Sequence, residues 1–378
     1  MVDFEENVKQ IELPQTKNHF TDREAGFGVL LFVAIQLVVI WIARLLVNVL
    51  NVPYTSVFSE ILSFVIEAVF VLSVYLISLR GKKNFIKCVG LDKKVNGKMV
   101  GLCIFIAAVC LFGLSQVSNV FIEILTAMGY HSSASSISVT TFWQLLLYTF
   151  LVALVPAVCE EIMFRGLLLN GLARCGKHLA IILSALIFTL MHGSPDQTVH
   201  QFILGIVFGY IVYFTGNLYL TIIIHFTNNF AVLVVNFVYN LINGAAATSA
   251  ESISETASMS VVATIFSVII SLVIVAIAVY LLITEIRRLS VLSNHSNGAP
   301  QYLTEDEIAK LNLNAAMAGT NKEAQEVKNE SGEILVASNL SEKKDKQPLD
   351  KRAIVYLVCS IIYLGVDWIL ALINGFLG

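Results

Sequence analysis

Two adjacent carboxylates, Glu160 and Glu161, and a guanidinium four residues on, Arg165, stand in a stretch from Thr141 to Ala173 that carries no other charge. Taking an ionisable side chain into hydrocarbon costs about 2.5–3.5 kcal/mol on insertion scales, so an intramembrane acidic pair is a functional-site hypothesis by default. On a helix, Glu161 and Arg165 at i, i+4 share a face and can pair, whereas Glu160 is turned about 100° away. One carboxylate is then compensated and the other is free. The bland alternative is a polar helix end meeting the cytosol.

Further polar groups lie in the apolar segments downstream. His192 ends the run Ala180 to Met191, and His225 and Asn229, also i, i+4, lie within Leu218 to Val235. A carboxylate, two imidazoles and a carboxamide have a limited set of uses. Glu160 can take a proton from a water held by one His, while the second His and the Asn donate to the oxyanion of a tetrahedral intermediate. Equally, Glu160, His192 and His225 can act as three ligands of a Zn2+ ion with an open water position. Both readings hydrolyse an amide. Within the metal reading Glu161 could be the base, although Arg165 is well placed to hold it. Other intramembrane protease signatures are missing: there is no HExxH, no GxGD and no GxSx placed within a helix. Ser194, after Gly193, has no adjacent base. Cys159 has no neighbouring His and reads as packing.

The elements that must position these residues are membrane helices. With 57% of the 378 residues hydrophobic, 13% charged and a mean hydropathy of +0.78, the chain reads as all-α, a polytopic helical bundle. Apolar segments run 27–50, 58–79, 99–117, 142–163, 179–193, 200–215, 218–242, 259–285 and 353–377, giving about eight or nine crossings. The stretch 117–130 either extends the third helix or lies along the interface. The chain divides into a cytoplasmic N-terminal segment 1–26, N-terminal helices 27–84, a core 85–242, an additional helix 243–288, a polar cytoplasmic linker 289–352 expected to be disordered, and a final helix 353–378. Lys and Arg cluster in alternate loops, densely between Arg80 and Lys98, while the loops 51–57, 118–141, 193–199 and 243–258 have none. The positive-inside rule thus places the N-terminus and 289–352 in the cytoplasm and the chain, as a multi-pass protein, in the plasma membrane. Only Arg44 is left unplaced. No secretory leader, internal repeat or nucleic-acid patch is recognisable, and the six cysteines suggest no disulfide framework.

These placements carry a structural demand. If the cytosolic boundary fell right after Arg165, His192 would lie about 22 Å deeper than Glu160 and the two could not meet. The acidic helix must instead run on to about Arg174 and Lys177, the Gly216-Asn217 turn must dip below the surface, and Pro156 can kink the helix to open space.

Glu160-Glu161-x-x-x-Arg165, Phe188-x-x-x-His192 and His225-x-x-x-Asn229 together resemble the three-motif signature of the CPBP family, also called Abi or type II CAAX prenyl endopeptidase-like proteins, over about residues 85–240. The resemblance implies a membrane endopeptidase acting on membrane-associated substrates of CAAX, lipidated or leader-peptide type. In it Glu160 activates water with His192, His225 and Asn229 stabilise the oxyanion or contribute to a metal site, and Arg165 orients the acidic pair. Whether the mechanism depends on a metal or on glutamate alone stays open. The expected partners are the bilayer and a peptide or lipoprotein substrate, with no nucleic acid. The rival expectations are a non-proteolytic interaction or bacteriocin-immunity protein that keeps the fold, and a transporter using Glu160 and the His pair as a proton relay.

Overall fold

Helix starts are set by capping side chains. Thr21 accepts from the Glu24 amide while the Glu24 carboxylate accepts from the Thr21 amide, a reciprocal cap that starts α1 (Asp22–Asn48). This is why α1 begins ahead of the purely apolar run expected from residue 27. Thr55 caps α2 (Ser56–Arg80), Asn84 the short α3 (Phe85–Val89) and Asn96 α4 (Gly97–Ala127). Thr141, with Gln144, opens the long α5 (Phe142–Cys175). Then follow α6 (Lys177–Met191), α7 (Thr198–Thr215), α8 (Leu218–Ala246) and α9 (Lys351–Leu377). The computed structural model describes residues 19–53, 55–131 and 138–246, scattered residues between 269 and 285, and 348–377. Among these there is no strand.

Seven of the helices are long and apolar enough to cross a bilayer, and α6, at 15 residues, is a shorter apolar helix. The stretch after residue 117 continues α4 to Ala127. The helix expected at 259–285 is described only at scattered helical positions, and the polar segment 289–352 lies outside the described residues up to 347.

α5 continues past the apolar run 142–163 to Cys175, as the demand that the acidic helix run on to about Arg174 and Lys177 required, and Arg165 is matched inside the protein and need not surface. Within α5, two stretches, Thr149–Leu154 and Ile162–Leu169, widen to π-helical turns on either side of Glu160 and Glu161. Side chains from neighbouring segments bond carbonyls of the second stretch: Ser184 Oγ donates to Phe164 O at 2.9 Å and Asn170 Nδ2 to Gly166 O at 3.1 Å.

Two large apolar clusters fill the bundle, with a small third around Val139, Ala153 and Leu233. One joins α1, α2, α5 and α6 through residues such as Phe32, Phe70, Phe164 and Phe188; the other joins α4, α7 and α8 through Ile106, Phe208 and Ile224. α6 and α7 come close because a Cβ on Gly205 would meet Ala185 at 2.9 Å and one on Gly209 would meet Ile181 at 3.0 Å, the small-residue contact of membrane helices. α9 lies against α1 at Gly26, where an added Cβ would meet Ala353 O at 3.0 Å. Arg44 is exposed on α1 and interacts electrostatically with Tyr363 of α9.

Candidate active site

Glu160, Glu161 and Arg165 are all buried, at 5%, 0% and 0% exposure, so none of them is a helix end in water. The pairing expected from spacing is present: Arg165 Nη1 donates to Glu161 Oε1 at 2.7 Å. Two aromatic faces enclose the guanidinium, with Phe188 at 4.4 Å and Phe208 at 5.0 Å, one from each apolar cluster. Its Nη2 reaches Gly205 O at 3.4 Å, a contact permitted by the close approach of α7.

His225 stands between the two carboxylates. Its Nδ1 is 3.2 Å from Glu161 Oε1, and its Nε2 is 3.8 Å from Glu160 Oε2. A carboxylate paired with Arg165 accepts, so the contact with Glu161 is made by an Nδ1–H, and Nε2 faces Glu160. Glu160 Oε2 is buried and receives no hydrogen bond from any N–H or O–H group among the described residues.

His192 caps α6, and its Nδ1 donates to Phe188 O at 2.8 Å. In the neutral ring this leaves the Nε2 lone pair free to accept. Both imidazoles lie edge-on to the Phe188 ring, His192 at 4.8 Å and His225 at 6.1 Å between centroids, so one aromatic residue spaces them. His200 is half-buried on α7 and interacts electrostatically with both. His178 instead bonds Tyr210 Oη at 3.2 Å.

Asn229 lies one turn beyond His225 on α8. Its Nδ2 donates to Val152 O at 3.2 Å. That carbonyl is the i−4 position relative to Pro156, which has no N–H to give it, so the carboxamide meets an acceptor that the proline abandons. Asn228 Nδ2 approaches Asn229 Oδ1 at 3.4 Å.

The depth problem is solved at the Gly216 turn. Gly216 (φ 61°) ends α7, Leu218 N donates to Gly90 O at 3.2 Å, and Asn217 Nδ2 donates to Lys94 O at 3.0 Å. Asn217 and Leu218 are fully buried beneath the loop 90–94, which lets α8 start low enough for His225 to meet Glu160. Gly90 must be glycine, since φ is 85° and a Cβ would meet Gly216 O at 2.6 Å.

One residue at this site is absent from the motifs. Glu67, in the apolar middle of α2, has its Oε2 buried without an N–H or O–H partner among the described residues and interacts electrostatically with Glu160. The available signal was the one that marked Glu160, a carboxylate inside a membrane span.

Among the described residues, no three His, Cys, Asp or Glu side chains stand together as a group able to hold a metal ion. His225 is tied through Nδ1 to the Arg165-paired carboxylate, with Nε2 turned towards Glu160.

The bundle and this buried carboxylate, imidazole and guanidinium cluster define a membrane protein with a candidate hydrolytic centre between its helices. Comparison with known proteins gives the class: residues 141–231 match the family described as type II CAAX prenyl endopeptidase Rce1-like. The chain thus carries a domain of the CPBP and CAAX protease family, and the match spans all three motifs. No curated protein and no solved structure matches the chain.

Proposed function

We propose that the protein is an intramembrane endopeptidase that hydrolyses a peptide bond of a membrane-associated substrate, of CAAX, lipidated or leader-peptide type, with a water activated by Glu160 and His192. The observation that carries this reading is the carboxyl group of Glu160, buried beside His225 and left without an N–H or O–H donor. Glu160 takes a proton from water, whose oxygen His192 Nε2 helps to hold, and the hydroxide adds to the scissile carbonyl carbon. The resulting oxyanion is stabilised by Asn229, donating once its carboxamide leaves Val152 O, and by His225, whose Nε2 donates when that ring carries both protons. Collapse breaks the C–N bond, and the proton held at Glu160 goes to the leaving amine. Arg165 pairs with Glu161, which in turn fixes the His225 ring. No step is routed through a metal.

The Rce1-like match supports a peptidase that works where lipidated peptides reside, in or on the bilayer. We place the N-terminus and residues 289–352 on the cytoplasmic side of the plasma membrane, from the distribution of Lys and Arg. The test is cleavage of a prenylated CAAX peptide and of a membrane-peptide library by purified wild type, Glu160→Gln and His192→Ala. Wild type should cleave, and Glu160→Gln should lose about 10²–10⁴-fold in kcat. Equal cleavage by wild type and Glu160→Gln overturns the reading; cleavage by none overturns it in favour of a non-proteolytic interaction or immunity protein.

A further inference from the structure

At the end of the bundle that carries the basic loop, a cavity of about 50 Å³ opens between four segments. α3 contributes Lys87, the loop after it Gly90 and Lys93, the last turn of α5 Arg174, and the α7–α8 turn Gly216. These segments are fastened to one another around it. Asn170 Nδ2 donates to Gly166 O at 3.1 Å and reaches Cys88 O at 3.4 Å, which ties α5 to α3, while Leu218 N donates to Gly90 O at 3.2 Å, which ties the loop to α8. Three cations from three separate segments thus line one space. Among the described residues Lys93 has a long contact with Asp92 at 3.8 Å, and neither Lys87 nor Arg174 forms an ion pair. Asp22 and Asp350 line a neighbouring cavity that also reaches Arg174, but both already accept from backbone amides: Asp22 Oδ2 from Asp350 N at 2.7 Å, and Asp350 Oδ1 from Arg352 N at 2.7 Å. The positive-inside rule asks only that cations lie in a loop; it gives no reason for them to line a pocket without their counter-charges.

We propose that this pocket binds a phosphate group, that of an anionic lipid headgroup or free inorganic phosphate, through Lys87, Lys93 and Arg174. Its volume has room for about four water-sized groups, which matches the four oxygens of a phosphate. The planar fork of Arg174 can hold two of those oxygens, and the two lysines act as point charges on the others. α5 reaches Arg174 directly after its last apolar residues, Leu172 and Ala173, where a spanning helix meets the headgroups, and basic pockets between membrane helices suit anionic headgroups. A phosphate in this position bridges α3, the loop 90–94 and the end of α5. It lies against the Gly216 turn that sets the start of α8, so its binding stiffens the contacts on which the depth of His225 depends. None of this rests on the hydrolytic reading.

The test uses the full chain, stripped of lipid in dodecyl maltoside, a detergent without phosphate. Its unfolding midpoint is measured alone, with phosphatidylglycerol added, and with inorganic phosphate added against chloride of equal ionic strength. A rise of a few degrees is expected. A rise with phosphatidylglycerol assigns the pocket to a lipid headgroup, and one with phosphate over chloride assigns it to the free ion. The double variant Lys93→Gln/Arg174→Gln should lose the rise and, by native mass spectrometry, retain the lipid about tenfold more weakly. Lys82→Gln/Lys98→Gln, which removes equal charge from exposed positions at the same end but outside the pocket, should keep both. No rise with either probe overturns the proposal, and the wild type alone gives that result should a variant fail to fold. Equal losses in the two double variants overturn it as well, since general attraction to a basic surface then accounts for the binding.

Discussion

Arg165 is a fully buried cation with a carboxylate at 2.7 Å, a carbonyl at 3.4 Å and two aromatic faces around it, while its Nε has no acceptor among the described residues. Removing one partner of a buried ion pair strands the other, at a cost of about 3–5 kcal/mol. Arg165→Ala should accordingly lower the thermal stability of the purified protein by an amount of that order, a change read directly by its unfolding midpoint. Arg165→Lys keeps the charge but loses the planar fork and much of the stacking between Phe188 and Phe208, so it should fall between the two. A lysine variant as stable as wild type would contradict the sandwiched geometry. The Glu161–Arg165 pair was legible in the sequence because an i, i+4 rule is local and needs no tertiary knowledge. Phe208, Gly205 and Glu67 were not tied to the site by any such rule, since each comes from a different helix and meets the acidic pair only after packing. His225 was legible as a candidate, but its seat between two carboxylates follows from the depth of the Gly216 turn, which depends on the loop 90–94 above it.

α5 does at the level of the element what its charged residues do locally. A helix with two π-helical turns and a proline has carbonyls without their ordinary partners, and side chains of other segments supply the donors. Asn229 and Pro156 make this testable as a cycle. In Asn229→Ala, Val152 O loses the carboxamide donor, a change expected to cost about 1–3 kcal/mol. Pro156→Ala restores a backbone N–H at the position that would bond Val152 O in a regular helix, so in that background Asn229→Ala should cost clearly less. Additive effects in the unfolding midpoints would show that the proline and the carboxamide are not coupled through that carbonyl. That Pro156 withholds an N–H was foreseeable from the residue alone; the two π-helical turns were not, because widening a turn leaves no mark in hydrophobic periodicity. The apolar run alone ends this helix at residue 163; the need for Glu160 and His192 to lie at one depth is what made its continuation towards Arg174 legible, and the helix ends at Cys175.

Across the whole molecule the loops sort into two ends. At one, Lys83 bonds His19 O and pairs with Glu24, Asp350 N donates to Asp22 Oδ2 at 2.7 Å, and Asn217 reaches Lys94 O, so the starts of α1 and α9 sit with the basic loop after α2. At the other, His131 N donates to Gly375 O at 2.7 Å and Tyr130 meets Phe376 at 5.7 Å, joining the ends of α4 and α9. The first end carries Arg80, Lys82, Lys83, Lys87, Lys93 and Lys94, whereas the loops 49–55, 128–141 and 192–197 carry no Lys or Arg. The loop alternation expected from charge is thus the alternation that the helices follow in space. It was legible because apolar length and basic residues are both properties of the chain read in order. Since Lys and Arg bias a loop towards the cytoplasm, Lys93→Cys should react with an impermeant maleimide only from the cytoplasmic side of oriented vesicles. Met128→Cys, exposed at the far end of α4, should react only from the outside once the native cysteines are replaced. Labelling of both positions from one side would refute the two-ended arrangement. Reversed labelling would keep the bundle but turn the basic loop outward, and the substrate would then have to approach the first end of the bundle from outside the cell.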